Sequence, residues 1–95
     1  MKIDRDAVAE ICARNDVERL RLFGSFARGE EEDGSDVDLI ADFSTRKSLL
    51  DLARIEREFS ERLVRNVDLL IERSLSPYLR DRILGEATVI YERAA

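Results

Sequence analysis

An alternation of side chains over residues 36–43 constrains the fold more than any other feature of this sequence. Every second residue there is apolar: Val37, Leu39, Ala41 and Phe43. Because successive side chains of a strand point to opposite faces, the pattern predicts a strand whose apolar face is buried in a core. Asp36 and Asp38 lie together on the other face, and strand interiors disfavour aspartate. Two aspartates in this place therefore indicate either a functional or a local structural role.

A second predicted strand, over residues 67–72, repeats this arrangement. Its apolar residues are Val67, Leu69 and Ile71. Asp68 lies on the opposite face, and both strands carry their aspartates at the N-terminal end. The three carboxylates converge only if the two strands run parallel, which requires a crossover connection. An amphipathic helix predicted over residues 47–64 has the right place in the chain to be that connection.

The other predicted elements complete a small mixed β-sheet flanked by helices, α/β in class, within a single domain of residues 1–95. In chain order they are a helix over residues 5–14 with Asp4 as its N-cap, a strand over 17–23, a helix that begins at Pro77 after Ser76, and a candidate edge strand over 88–91. The strand over 17–23 must run antiparallel to that over 36–43, because its C-terminal end then brings Gly24 and Ser25 to the aspartates.

Asp36, Asp38 and Asp68 are candidate metal ligands. Carboxylates about 5 Å apart repel each other by about 3 kcal/mol per pair at an effective dielectric of about 20, and a divalent cation converts that repulsion into attraction. The sequence contains no histidine and one cysteine, so hard carboxylate oxygens favour Mg²⁺ or Mn²⁺ over zinc. Two such ions would position an attacking oxygen and neutralise a leaving pyrophosphate.

Gly24 and Ser25 begin a turn, over residues 24–29, that suits a phosphate group. Glycine lets the backbone approach a ligand closely, and a following helical turn would present free amide groups and a positive dipole end. The Ser25 hydroxyl can add a hydrogen bond, and Arg28 can reach the same phosphate. Arg28 is an equally good salt-bridge partner for the acidic loop over residues 30–33, so both roles stay open.

Composition narrows the function classes. The net charge is −5 at pH 7, which argues against a broad nucleic-acid surface because such binding depends on Lys and Arg. No apolar run reaches the length of about 18 residues that a membrane-spanning helix needs, so we expect no membrane association. Cys12 is the single cysteine and cannot form an internal disulfide, so we expect a cytoplasmic setting.

The motif residues resemble those of the DNA polymerase β-like nucleotidyltransferase superfamily: Gly24-Ser25 followed by Gly29, then SDVDL over residues 35–39, then Asp68 in a later strand. The short chain is similar to the minimal nucleotidyltransferases, which often act as antitoxins beside a HEPN-domain toxin. The resemblance implies a palm-like fold and binding of the triphosphate of ATP by Gly24 and Ser25. It implies that Asp36, Asp38 and Asp68 bind metal. It also implies that Asp68 is the base for the acceptor hydroxyl.

We therefore expect a metal-dependent nucleotidyltransferase that moves AMP from ATP to a tyrosine hydroxyl of a HEPN-domain toxin, and so acts as its antitoxin. Ninety-five residues leave no room for an acceptor-binding domain, which favours a protein acceptor and a homo- or hetero-oligomer. In a second hypothesis the site is vestigial and the chain neutralises its partner by binding alone. For the residues themselves the alternative is structural: Asp36 could cap a turn after Ser35, and Asp38 could face solvent on an edge strand. A third hypothesis is an antibiotic-modifying transferase whose second domain belongs to a partner chain.

Overall fold

The computed structural model describes residues 3–30, 32 and 34–94 of the chain. In chain order its elements are α1 (Arg5–Arg14), β1 (Val17–Phe23), α2 (Ser25–Arg28), β2 (Val37–Phe43), α3 (Leu49–Leu63), β3 (Val67–Leu70), a 3₁₀ turn (Glu72–Ser74), α4 (Arg80–Glu86) and β4 (Thr88–Glu92). None of the helices in the described residues is long and apolar enough to cross a membrane.

The four strands form one sheet in the order β3-β2-β1-β4. β1 runs antiparallel to β2 and to β4, whereas β2 and β3 are parallel and α3 connects them. The predicted directions of the first three strands and the predicted crossover helix are confirmed. The register sets Asp38 beside Asp68 on one side and beside Phe23 on the other. The C-terminal end of β1 therefore meets the N-terminal ends of β2 and β3.

The core lies between one face of the sheet and the helices α1 and α3. Its buried side chains come from alternate strand positions, as the sequence pattern predicted, and from one side of each helix. The most deeply buried are Val8, Ile11, Cys12, Val17, Leu20, Leu22, Val37, Leu39, Ile55 and Phe59. The opposite face of the sheet carries Asp38 and is covered in part by short elements, since Arg21 of β1 lies 3.9 Å from Glu72 of the 3₁₀ turn.

N-cap side chains fix the first residues of α1 and α3. Asp4 accepts a hydrogen bond from the Ala7 amide at 3.1 Å, which confirms it as the N-cap of α1. Ser48 and Asp51 form a capping box, in which each side chain accepts a hydrogen bond from the backbone N–H of the other residue. Because this box satisfies the first free amides of α3, the helix begins at Leu49, two residues later than predicted.

The outer edge of β3 is closed by side chains of α3. Ser60 accepts a hydrogen bond from the Val67 amide at 3.1 Å, and the Glu56 carboxylate accepts one from the Leu69 amide at 2.8 Å. An edge strand with free amides can pair with another chain. These two bonds satisfy the amides on either side of Asp68, so they also fix the position of that residue at the edge of the sheet.

Two predicted strand boundaries were wrong by one or two residues. β2 begins at Val37, so Asp36 lies just before the strand and not within it. β3 ends at Leu70, because the chain leaves the sheet to form the 3₁₀ turn that begins at Glu72. The candidate edge strand over 88–91 is confirmed and ends one residue later, at Glu92.

The prediction that the last helix begins at Pro77 was wrong. The amides of Leu79 and Arg80 both donate to the carbonyl of Ser76, at 3.0 and 2.8 Å, so the chain first makes a turn. The helix itself begins at Arg80. Proline fixes only its own φ and removes its own N–H. It therefore suits the first position of a turn as well as that of a helix, and Pro77 alone could not distinguish the two.

Val64 is a β-branched residue in a backbone conformation that β-branched residues rarely adopt. It ends α3 with φ 54° and ψ 45°, a left-handed conformation, and it is 84% exposed. This conformation costs a residue with a Cβ about 1–2 kcal/mol, and an exposed valine gains little packing in return. Val64→Gly should therefore raise the free energy of unfolding by about 1 kcal/mol, measured by urea denaturation.

A matched control for this prediction is Val89→Gly. Val89 is also an exposed valine, at 46%, but it lies within β4, where glycine is unfavourable. The two variants should shift stability in opposite directions. Equal destabilisation would contradict the strain assigned to Val64.

Candidate active site

Asp38 and Asp68 lie side by side at the N-terminal ends of two parallel strands. They are register partners in the β2–β3 pair, on the sheet face that points away from α1 and α3. Neighbouring strands are about 4.8 Å apart, so two carboxylates in this relation are close. Asp38 is half-buried, whereas Asp68 and Asp36 are exposed.

The electrostatics of Asp38 show that the charges of Asp68 and Asp36 act on its carboxyl group. The pKa of Asp38 is raised first by burial, then by the negative charges of Asp68 and Asp36, and by a hydrogen bond with Asp68. The positive charge of Arg28 opposes these effects. The structure therefore brings the predicted carboxylates and the predicted phosphate-binding arginine into one neighbourhood.

Gly24 touches this carboxylate group directly. A Cβ added at Gly24 would lie 2.3 Å from Oδ2 of Asp38, a distance that no real contact shows. The backbone has φ 74° and ψ −152°, a region that only glycine occupies without strain. Position 24 therefore requires glycine for two reasons, the clash that a Cβ would make and the backbone conformation. The backbone of the Gly24-Ser25 turn packs against the Asp38 side chain.

The turn also leaves backbone amides available for a ligand. α2 begins at Ser25, and its N-cap, Gly24, has no side chain that could accept a hydrogen bond from the first amides of the helix. The first amides of a helix have no partner within the helix and attract anions. The one helical turn foreseen at residues 24–29 is thus present, beside the carboxylates.

Arg28 is engaged by carboxylates of the protein itself. Its Nε lies 2.6 Å from Glu30, and its NH1 lies 3.5 Å from Glu86. These contacts raise the pKa of Arg28 further, with the Glu30 hydrogen bond as the largest cause. The structure shows the salt bridge to the acidic loop that the sequence allowed; phosphate binding by Arg28 stays a prediction. Glu31 and Asp33 of that loop lie outside the described residues.

Carboxylate oxygens are the type of ligand that a hard divalent cation prefers, but the structure does not gather Asp36, Asp38 and Asp68 into a metal site. Across residues 3–30, 32 and 34–94, no three or more His, Cys, Asp or Glu side chains are gathered closely enough to hold a metal as they stand. Asp36 and Asp68 are exposed, and Asp38 is half-buried. Burial is the largest cause of the raised pKa of Asp38, and repulsion from Asp68 and Asp36 adds to it; a nearby cation would oppose that repulsion.

Cysteine chemistry is absent from this region. Cys12 is fully buried in the core, and burial raises the pKa of its thiol to about 12. A thiol in that state is a poor nucleophile and metal ligand, so it acts as a small apolar side chain.

Two contacts of the site had no signal in the sequence. The Arg65 guanidinium lies over the Phe26 ring, 5.0 Å from its centroid, and this cation–π contact links the end of α3 to the Gly24-Ser25 turn. Glu86 reaches Arg28 from α4. Both contacts join residues far apart in the chain, and neither follows a local periodicity that could have predicted it.

Residues 6–95 match the protein family described as polymerase beta, nucleotidyltransferase. The chain belongs to this family. The resemblance in the motif residues and the predicted fold class are thereby confirmed, and the chain is a nucleotidyltransferase by family. The match covers the elements that carry Gly24, Asp36, Asp38 and Asp68.

Relatives of similar length support the same assignment. A Methanocaldococcus jannaschii protein described as "Putative protein adenylyltransferase" is 44% identical over 80 residues, which are 84% of this chain and 86% of that protein. The "Protein adenylyltransferase MntA" of Thermococcus cleftensis is 33% identical over 81 residues, covering 85% of this chain and 82% of that one.

A solved structure shares the fold at low sequence identity. It is described as a tri-AMPylated Shewanella oneidensis HEPN toxin in complex with MNT antitoxin, and the matched chain aligns with a TM-score of 0.72. The alignment covers 94% of this chain and 70% of that one at 16% identity. At that identity the likeness establishes the fold and no more.

The close approach at Gly24 predicts how two glycines will differ. Gly24→Ala should cost about 2–3 kcal/mol of stability, because it combines backbone strain with a clash against Asp38. Gly29 also has a positive φ, 72°, but an added Cβ would meet nothing within 4 Å. Gly29→Ala should therefore cost only about 1 kcal/mol. Urea denaturation measures both, and equal losses would contradict the contact between Gly24 and Asp38.

The raised pKa of Asp38 predicts a pH-dependent stability effect. A group whose pKa rises on folding stabilises the fold below its unfolded pKa of about 3.9, and this contribution is lost as the pH rises through the folded pKa. Asp38→Asn should therefore raise the melting temperature of the metal-free protein at about pH 7, with the gain disappearing near about pH 3. Thermal melts in the presence of a chelator measure this.

Asp51 provides a control of opposite sign. Its pKa is lowered by the hydrogen bonds that it exchanges with Ser48, so its contribution is present above the unfolded pKa and is lost as the pH falls through the folded one. Asp51→Asn should lower the melting temperature at neutral pH. An Asp38→Asn variant that melts no higher than wild type there would show that the carboxylates do not repel one another.

Proposed function

We propose that this chain transfers AMP from ATP to a tyrosine hydroxyl of a HEPN-domain toxin and thereby acts as its antitoxin, as one nucleotidyltransferase domain in the cytoplasm. The observation that carries the proposal is the pairing of Asp38 with Asp68 beside Gly24. Burial and the neighbouring carboxylates raise the pKa of Asp38, and a cluster of groups with perturbed pKa values is typical of a functional site.

The donor side of the proposed site is the Gly24-Ser25 turn. The amides of α2 and the Ser25 hydroxyl face the phosphates of ATP, and the missing Cβ of Gly24 lets the backbone come close to them. Arg28 adds positive charge to the site when it binds a phosphate oxygen in place of Glu30 or Glu86. This exchange costs little, because its ion pairs with these residues are partly exposed and therefore weak.

The metal side of the proposed site consists of Asp36, Asp38 and Asp68. Their oxygens suit Mg²⁺, with Mn²⁺ as an alternative, and we propose two ions. When bound, such ions supply positive charge that offsets the carboxylate repulsion and the charge of the phosphates. The half-buried position of Asp38 makes it the fixed ligand, and the exposed Asp36 and Asp68 complete the set.

The proposed transfer step forms one bond and breaks one. The acceptor oxygen attacks the α-phosphorus of ATP, and the new oxygen–phosphorus bond forms as the bond to the α,β-bridging oxygen breaks. Pyrophosphate leaves with that oxygen. The proton of the acceptor hydroxyl passes to the Asp68 carboxylate, which is exposed at the sheet edge and can therefore meet a hydroxyl that a partner brings.

The acceptor is proposed to be a protein. The descriptions of the two relatives as protein adenylyltransferases support this class of acceptor. The AMP-modified HEPN toxin of the structurally similar complex supports the choice of partner. We accordingly propose a hetero-oligomer in which the toxin presents its tyrosine to the open face of the sheet.

The test is transfer of label from ATP labelled at the α-phosphate to a purified HEPN-domain toxin. Wild type with Mg²⁺ should label the partner, and Tyr→Phe at the modified position of that partner should abolish labelling. Asp38→Asn combined with Asp68→Asn should reduce transfer at least about 1,000-fold, since it removes charge stabilisation and the base. Asp6→Asn, on the exposed first turn of α1, is the matched control and should transfer normally.

The same variants separate catalysis from neutralisation by binding alone. In cells that express the toxin, the Asp38→Asn, Asp68→Asn double variant should fail to protect, whereas the Asp6→Asn variant should protect as wild type does. Full protection by the double variant would show that binding suffices, and absence of label on the partner with wild type would contradict the proposed reaction.

A further inference from the structure

A crevice lies at the end of the sheet opposite to the aspartates of the proposed active site. It has a volume of about 450 Å³ and is lined by residues 41–47, by Leu52 of α3, and by Ile71 and Arg73, which follow β3. The carboxyl ends of the two parallel strands β2 and β3 therefore border this crevice, whereas the aspartates lie at the amino ends of the same strands.

The topology of the chain explains why the crevice is open. After β2 the chain continues into α3, which packs on the core face of the sheet. After β3 it continues into the 3₁₀ turn, which lies on the opposite face, where Glu72 is 3.9 Å from Arg21. Connections that leave neighbouring parallel strands toward opposite faces form a crevice at the carboxyl ends of those strands, and open α/β sheets commonly bind ligands in such a place.

Cationic side chains surround the crevice, although the net charge of the chain is −5. Arg46, Lys47 and Arg73 all line it. Lys47 is already paired with Asp16, at 3.1 Å. Arg46 and Arg73 are exposed and form no ion pair within the part of the chain that the structure describes. Their planar guanidinium groups are therefore available for an oxyanion, which such groups bind with two parallel hydrogen bonds.

The floor of the crevice is apolar. Phe43, Leu52 and Ile71 contribute to the lining, and all three are half-buried. Asp42 also lines the crevice, but it lies 3.7 Å from Arg21, which offsets its negative charge. A ligand that uses the whole crevice therefore needs an apolar part as well as an anionic group.

We propose that this crevice binds a small organic anion, in which a carboxylate or phosphate group is joined to an apolar or aromatic body. The anionic group pairs with Arg46 and Arg73, and the body lies against Leu52 and Ile71. The volume of about 450 Å³ falls within the range of about 300–1,000 Å³ that is usual for small-molecule sites. The crevice shares no residue with the proposed active site, so this inference does not depend on the proposed function.

The test is an NMR titration of the isotope-labelled protein with phenyl phosphate and with benzoate. Inorganic phosphate and phenol are titrated separately, because each carries only the anionic or only the apolar half. Phenyl phosphate, benzoate or both should shift the backbone amide signals of residues 42–47 and 71–73 to saturation. The bound compound should have an affinity at least about fivefold higher than either half alone, and the tighter of the two identifies the preferred anionic group.

Three variants test the role of the two arginines. Arg46→Gln and Arg73→Gln should each weaken binding about tenfold, because each removes a charge-assisted hydrogen bond. Arg57→Gln is the matched control: Arg57 is an exposed residue of α3 that does not line the crevice. It changes the net charge by the same amount and should leave the affinity as in wild type.

Four results would overturn the inference. The first is that neither compound shifts the signals of residues 42–47 and 71–73. The second is that inorganic phosphate binds as tightly as phenyl phosphate and benzoate, which would show an adventitious ion only. The third is equal weakening by Arg57→Gln, which would show a general effect of charge. The fourth is a set of shifts confined to residues 24–29, which would place the anion at the Gly24-Ser25 turn and leave the proposed function standing.

Discussion

The parallel pairing of β2 with β3 is the constraint on which the rest of the site depends. It places Asp38 beside Asp68, two carboxylates that repel each other on one end of a sheet. Antiparallel pairing would put them at opposite ends. Parallel strands need a crossover connection, and α3 is that connection, so the position of the aspartates depends on it. The side chains of Glu56 and Ser60 on this helix hold the amides on either side of Asp68.

The site is built from features that work against stability, and the other face of the sheet compensates for them. The backbone of Gly24 is in a region that other residues avoid, and the pKa of Asp38 is raised by burial and by the charges of Asp68 and Asp36. Opposite them lies a core of fully buried side chains, including Ile11, Leu39 and Phe59. Burial of each such side chain contributes about 1.5–3 kcal/mol, which is enough for the strained end of the sheet to persist. Strain and like charges concentrated at one place are typical of a functional site.

Much of this arrangement could be predicted from periodicity. The alternation of apolar residues around Asp38 and Asp68 predicted the sheet face on which each aspartate lies. The position of Gly24 directly after a strand predicted that β1 runs antiparallel to β2. The start of α4 could not be predicted, because Ser76 and Pro77 suit a turn as well as a helix. The ion-pair partners of Arg28 could not be predicted from neighbouring residues either. The sequence allowed either a phosphate or the acidic loop as its partner. Glu86 belongs to α4, which is far from Arg28 in the chain, and the two residues meet only in the folded structure. Pairings of this kind depend on tertiary packing, for which a single sequence carries no periodic signal.

We propose that Asp36, Asp38 and Asp68 share a divalent cation beside the Gly24-Ser25 turn. The most direct measurement is the anomalous diffraction of Mn²⁺ in crystals of the protein grown with Mn²⁺ and a non-hydrolysable ATP analogue. We expect a peak between the carboxylates of Asp38 and Asp68, about 2.2 Å from their oxygens, with the triphosphate against the turn. A peak at the acidic loop alone, or a triphosphate bound on another side of the sheet, would contradict it.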